Sequence, residues 1–189
     1  MVPEARLEQT DAGLVAKGEG WYVLNAHDAR WYHADGRPAF CDFEGEAEFS
    51  QLGINITVLG PGQPMAMYHW EADQEDFLVL SGEAVLLVEG EERRLRQWDF
   101  VHCPPHAKHV IIGAGAVPCV VLAVGARDKS VDNPEWGGYT VDELALQHGA
   151  GVEEETTEPQ EAYAGLTRRQ PTRYRPDWLG QHLSGRPQS

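Results

Sequence analysis

Between Trp21 and Ala126 the chain is a succession of short runs rich in Val, Ile, Leu, Phe and Tyr, cut at close intervals by Gly, Pro, Asp and Asn. Short apolar runs with turn residues between them predict an antiparallel sandwich or barrel. The runs that read as strands are 52–59, 65–70, 76–80, 83–88, 92–96, 100–103, 109–112 and 117–124. Ser81-Gly82, Glu89-Gly90-Glu91 and Gly113-Ala114-Gly115 lie between neighbouring runs and supply residues that tolerate positive φ, as hairpin turns require.

The flanks differ from this core. Residues 1–20 are expected to form an N-terminal arm, 21–126 the barrel with an N-terminal extension, and 127–189 a C-terminal extension. Asn25 is placed to cap a helical turn leading to Trp31, which is expected to pack on the barrel. After the core, 142–147 reads as a short helix, Glu153-Glu154-Glu155 is an acidic run, and 159–164 suggests another helical turn. From Leu166 the sign reverses: Arg168, Arg169, Arg173, Arg175 and Arg186 lie among Pro171, Pro176 and Pro187, so the tail is expected to be extended. Tyr174, Trp178 and Leu179 would gain by burial. An arm laid on an acidic surface, of its own barrel or of a second copy, would achieve that, and a homodimer is the expected assembly.

Charge narrows the partners. A formal net charge of −15 repels phosphate backbones and anionic headgroups, so neither nucleic acid nor a membrane is expected as a partner. The uncharged stretch 110–126 approaches the length of a membrane span, but Gly113, Gly115, Pro118 and Gly125 interrupt it, and two buried strands around a turn are the better reading. Cys41, Cys103 and Cys119 cannot all pair within one chain and lack the spacing of a zinc or redox motif. With neither a basic region nor an apolar run among the first residues, the expected location is a reducing cytoplasm.

Four residues of the core carry metal-binding chemistry: His69, Glu71, Glu75 and His109. Side chains two apart on a strand share a face, so His69 and Glu71 should point together while Tyr68 and Trp70 point away. A closed barrel could bring Glu75 and His109 to the same interior. Imidazole nitrogen and carboxylate oxygen suit Fe, Mn, Zn and Ni, and one divalent ion per chain is expected. By strand parity Met65, Met67, Phe77 and Ile111 could line the same space. Asp76, His102 and His106 are assigned outside the ligand set, and Cys103 is isolated as a thiolate.

The segment from Tyr68 to Glu83 and the segment from Trp98 to His109 resemble the paired motifs of the cupins. The first family motif is His-x-His, three or four residues, Glu, six residues, Gly. His69, Glu71, Glu75 and Gly82 match that spacing, with Glu71 standing where a His is usual. The second is Gly, five residues, Pro-x-Gly, two residues, His, three residues, Asn. Pro104 and His109 fit it, whereas Trp98, His106 and Gly113 depart. The resemblance covers about 52–124. It implies an all-β double-stranded β-helix, the cupin jelly-roll barrel, with short peripheral helices around it, able to enclose a ligand cavity.

Carried over by residue, the resemblance implies metal ligation by His69, Glu75 and His109, with Glu71 either a fourth ligand or a free base. With Glu71 bound, two imidazoles and two carboxylates neutralise a divalent ion. With Glu71 free, a two-His, one-carboxylate set keeps positions open, as in non-haem Fe(II) oxygenases. A small, partly apolar or aromatic substrate is expected rather than a phosphate ester, because Lys108 is the one Lys or Arg near the ligands in sequence. The functional expectation is a mononuclear metal oxidoreductase such as a dioxygenase, with Glu71 or Glu75 handling a proton. The alternatives are a non-catalytic module that binds or senses a small molecule, and a metal-assisted isomerase or lyase.

Overall fold

The most continuous apolar run of the chain lies near the middle of its larger sheet, where both faces are covered. This is seen in a computed structural model that describes residues 1–128 and 135–179. In chain order the strands are β1 (Arg6–Thr10), β2 (Gly13–Lys17), β3 (Arg30–Ala34), β4 (Arg37–Cys41), β5 (Leu52–Leu59), β6 (His69–Glu71), β7 (Glu75–Ser81), β8 (Glu83–Val88), β9 (Glu91–Arg96), β10 (Phe100–Cys103), β11 (His109–Ala114), β12 (Cys119–Ala126) and β13 (Gly137–Tyr139). Two short helices, α1 (Glu143–Gln147) and α2 (Pro159–Ala162), precede the last strand, β14 (Gln170–Arg173).

One sheet has the order β10-β7-β12-β5-β4-β3-β14 and the other β13-β6-β11-β8-β9, with every pair of neighbouring strands antiparallel. The two sheets form the double-stranded β-helix that the sequence implies. Between them Phe77 and Val79 of β7, Leu86 of β8, Ile111 of β11 and Val121 of β12 pack into one buried cluster. Each such side chain contributes roughly 1.5–3 kcal/mol by leaving water. β9, with sequence EERRLR, is mostly exposed at the edge of the smaller sheet, where its charges disfavour pairing with another chain.

The turns follow the glycines. Gly82, between β7 and β8, has φ +77, and a Cβ there would stand 2.6 Å from the Pro118 carbonyl oxygen, so the hairpin needs glycine for both its dihedral and its space. Asp142 caps α1 by accepting a hydrogen bond from the Ala145 N–H at 2.8 Å, and Pro159 begins α2, where its missing N–H costs nothing.

Several elements differ from the sequence expectation. The run 65–70 is extended only at its end, since β6 begins at His69, and the preceding residues leave the ladder. The 1–20 segment contains the hairpin β1–β2, bound to its surroundings by bridges from Leu14 to Ala29 and from Glu4 to Trp21. Alternation alone did not identify β3 and β4, and β13 is rich in glycine. Asn25 does cap the turn before Trp31: its Oδ1 accepts from the His27 N–H at 2.9 Å.

The C-terminal segment is an extended arm laid on its own chain. β14 pairs with β3 at the sheet edge, a position that tolerates Pro171 because no ladder hydrogen bond is required on the open side. Trp178 then lies 5.1 Å from fully buried Trp31, ring centre to ring centre, with Tyr174 at 5.8 Å from Trp31. Arg186 lies outside the described residues. Cys41, Cys103 and Cys119 are buried and unpaired, and burial pushes the thiols of Cys41 and Cys119 up to about 12 and about 11. Among the described residues no helix is long and apolar enough to cross a membrane.

Candidate metal centre

His69 and His109 face each other because β6 and β11 are neighbours in register at that residue pair. Their ring centres are 4.9 Å apart. Each ring is oriented by its own chain: His69 Nδ1 donates to the Met67 carbonyl at 2.7 Å and His109 Nδ1 donates to the Ala107 carbonyl at 3.0 Å. A carbonyl can only accept, so the proton sits on Nδ1 and Nε2 is turned to the cavity.

Glu75 arrives from the opposite sheet, at the start of β7. Its Oε2 lies 3.2 Å from His109 Nε2 and 3.6 Å from His69 Nε2. The donor atoms of His69, Glu75 and His109 all fall within 4.8 Å of one another. His109 Nε2 and Glu75 Oε2 are close enough for an ion pair, yet both buried atoms are left without a hydrogen-bond partner. Orphaned buried polar atoms are costly, and a cation between them would satisfy both. Two imidazoles and one carboxylate fit a divalent first-row metal ion.

Electrostatics favours positive charge here. Burial works against a charged Glu75, but the adjacent His109 and His69 outweigh it and hold the carboxyl well below its usual range. Burial likewise opposes charge on His109, yet the Cys103 and Glu75 side chains beside it raise its imidazole to about 10. Glu71 responds differently: desolvation, then repulsion from Glu75, pushes its carboxyl up to about 7. Glu71 borders the same cavity with Oε1 at 3.8 Å from His69 Nε2, outside the set of three clustered donors.

The other sequence candidates separate by strand parity. Asp76 points outward and pairs with His102, whose Nδ1 is 2.7 Å from Asp76 Oδ1. His106 lies against Trp70, with ring centres 5.1 Å apart. Met65 lines the cavity, whereas Met67 packs with Trp136 and Tyr139 because the backbone before β6 is irregular. Phe77 lines the cavity as its parity implies, and Ile111 belongs to the core beneath it. Cys103 is not isolated: it pairs in register with Glu75, which brings it to His109. Alternation along 100–103 already required either His102 or Cys103 to face inward, and that was the available signal.

The cavity has a volume of ≈ 280 Å³. Beyond the ligand cluster, its wall includes Phe40 and Thr57 of the larger sheet, Trp136, Tyr139, Tyr163 and Arg169. Sequence reasoning missed Arg169 and expected no cation but Lys108 near the ligands. The guanidinium comes from the tail, far along the chain, and only the pairing of β14 with β3 brings it there. Lys108 instead lies where its backbone N–H meets the Glu89 carboxylate at 2.7 Å.

Residues 55–125 match the family described as the cupin domain. A protein proposed to be a sugar phosphate isomerase, from Acidithiobacillus ferrooxidans, is 32% identical over 42% of this chain and 52% of its own, with a TM-score of 0.40. The aligned part therefore spans about half of that relative. An uncharacterized Klebsiella pneumoniae protein with a double-stranded β-helix domain is 23% identical over 50% of this chain and 80% of its own, with a TM-score of 0.44. A protein proposed to be an oxalate decarboxylase, from Thermotoga maritima, is 16% identical over 56% of this chain and 98% of its own, with a TM-score of 0.51, a likeness of fold alone. No curated protein matches the sequence.

Proposed function

We propose that the barrel, whose residues 55–125 match the cupin domain, binds one divalent metal ion on His69, Glu75 and His109 and acts on a small organic molecule as a mononuclear metal oxidoreductase. The observation that carries this reading is the pair of orphaned buried atoms, His109 Nε2 and Glu75 Oε2, with two imidazoles already oriented by backbone carbonyls. Such carbonyl partners fix the ring orientation and raise the basicity of the ligand. An ion bound there supplies Lewis acidity and, if redox-active, electron transfer, with positions open for substrate.

The chain's own groups do the rest. Glu75 offsets the ion's charge, and the backbone carbonyls hold both imidazoles in place. Glu71, free of the three-donor set, takes or returns a proton at its carboxylate. Phe40, Phe77 and Tyr139 exclude water and orient an apolar body. The free carboxylate also supports a second reading, a metal-assisted isomerase or lyase that moves a proton beside a carbonyl. Oxygen uptake in the presence of substrate favours the first, and exchange of substrate hydrogen with solvent without oxygen uptake favours the second.

The test is elemental analysis of protein purified without chelator or nickel resin. About one ion of Fe, Mn, Zn or Ni per chain is expected in the natural protein, and none in folded His109→Ala. Full metal content in His109→Ala would overturn the assignment.

A further inference from the structure

We propose that Arg169 is an anion clamp and that the molecule bound in the barrel is a small carboxylic acid, its carboxylate on Arg169 and its aromatic or apolar body between the ring-bearing walls. The proposal rests on the reading of the barrel as the binding site and adds the class of ligand.

Arg169 is partly buried and lines the same cavity as Glu71 and Glu75. Its Nε donates to the Pro38 carbonyl at 2.9 Å, and its guanidinium lies 5.3 Å from the centre of the Phe40 ring. Those contacts fix the plane of the fork and use one of its five N–H donors. Among the described residues no carboxylate pairs with it, although the chain carries 30 Asp and Glu. The neighbouring cation, Arg37, lies over the Tyr163 ring at 4.5 Å, and desolvation together with Arg37 lowers Arg169 only to about 10, so it remains charged near neutrality. A partly buried guanidinium without a counter-ion loses hydration that nothing replaces, and a bound carboxylate would supply the missing partner in the bidentate geometry that the fork favours.

The rest of the cavity decides the kind of anion. With Glu71 and Glu75 offsetting the divalent ion, the clamp leaves about one positive charge, which matches a carboxylate better than a phosphate dianion, and a carboxylate needs only the one fork. Phe40, Tyr139 and Tyr163 provide aromatic surface next to the clamp, and a volume of ≈ 280 Å³ admits only a small molecule.

The test uses benzoate, its neutral isostere benzamide and inorganic phosphate as probes, read by calorimetry on the full chain in metal-loaded and chelator-treated forms. Benzoate is expected to bind about tenfold or more tightly than benzamide and phosphate, a preference that Arg169→Gln abolishes and Arg169→Lys retains in part. Equal binding of benzoate by the natural protein and folded Arg169→Gln overturns the clamp, as does equal binding of benzoate and benzamide by the natural protein, which requires no variant. Phosphate bound as tightly as benzoate overturns the carboxylate assignment. An Arg169-dependent preference in chelator-treated protein supports the clamp independently of the metal. A preference seen only with metal and unchanged in Arg169→Gln places the carboxylate on the ion and overturns the clamp while leaving the metal reading intact.

Discussion

His69 and His109 are equivalent in chemistry but differ in the strand that holds them: each is the first residue of its strand, which is six residues long for His109 and three for His69. Each nevertheless spends its Nδ1 proton on the carbonyl two residues earlier, so both present Nε2 inward. Glu71 shares the cavity without joining the cluster of three donors. The expected result for Glu71→Gln is therefore retention of the ion that His109→Ala loses. Elemental analysis of the two variants side by side decides this, and loss of metal from both would make Glu71 a fourth ligand. Gln is nearly isosteric with Glu, so a change in metal content would report ligation rather than packing.

At the scale of elements, the tail is what distinguishes this barrel from its bare sheets. β14 adds a strand beside β3 and leads to Trp178, which closes over Trp31 in a cluster with Ala39, Val58 and Val120. Removing a large buried aromatic costs about 3–5 kcal/mol through lost burial and the cavity left behind. Since Trp178 lies near the end of the described arm and its surroundings can partly collapse, Trp178→Ala is expected near the lower figure, about 3 kcal/mol, or roughly 6–12 °C in Tm for a chain of this size. Thermal unfolding followed by circular dichroism checks it. A Tm within a degree of the natural protein would mean that the arm does not hold the sheet edge in solution.

At the scale of the whole molecule, the expectation of a homodimer can be separated from the fate of the arm. Trp178 and Leu179 are buried against their own chain, so ending the chain after Thr167 removes an internal cover rather than an exchanged one. Exposed Trp98 and Phe100 beside and within β10, an edge strand of the larger sheet, remain after that truncation. Light scattering is expected to give a dimer for the full chain and for a truncated chain that still folds, with the truncated chain melting earlier. A monomeric full-length chain would remove the dimer. A stable monomer produced only by truncation would place the arm at the interface after all.

The sequence by itself determined several strands of the barrel. 52–59, 83–88 and 100–103 alternate or run apolar between strong turn residues, and local patterning specifies a strand when its neighbours bury the matching face. It also marked His69, Glu71, Glu75 and His109 by type and spacing, because ligand chemistry belongs to the side chain. Strand pairing decided what patterning could not. Whether Cys103 or His102 faces the barrel interior depended on the register of β10 against β7, and the break in alternation at Met67 depended on where β6 joins β11. Arg169 had no local signal at all, since a charged residue in a proline-containing tail looks solvated until that tail is added to a sheet edge. Spacing in sequence can report on residues of one strand or hairpin, whereas a wall built from the two ends of a chain exists only once the chain has folded.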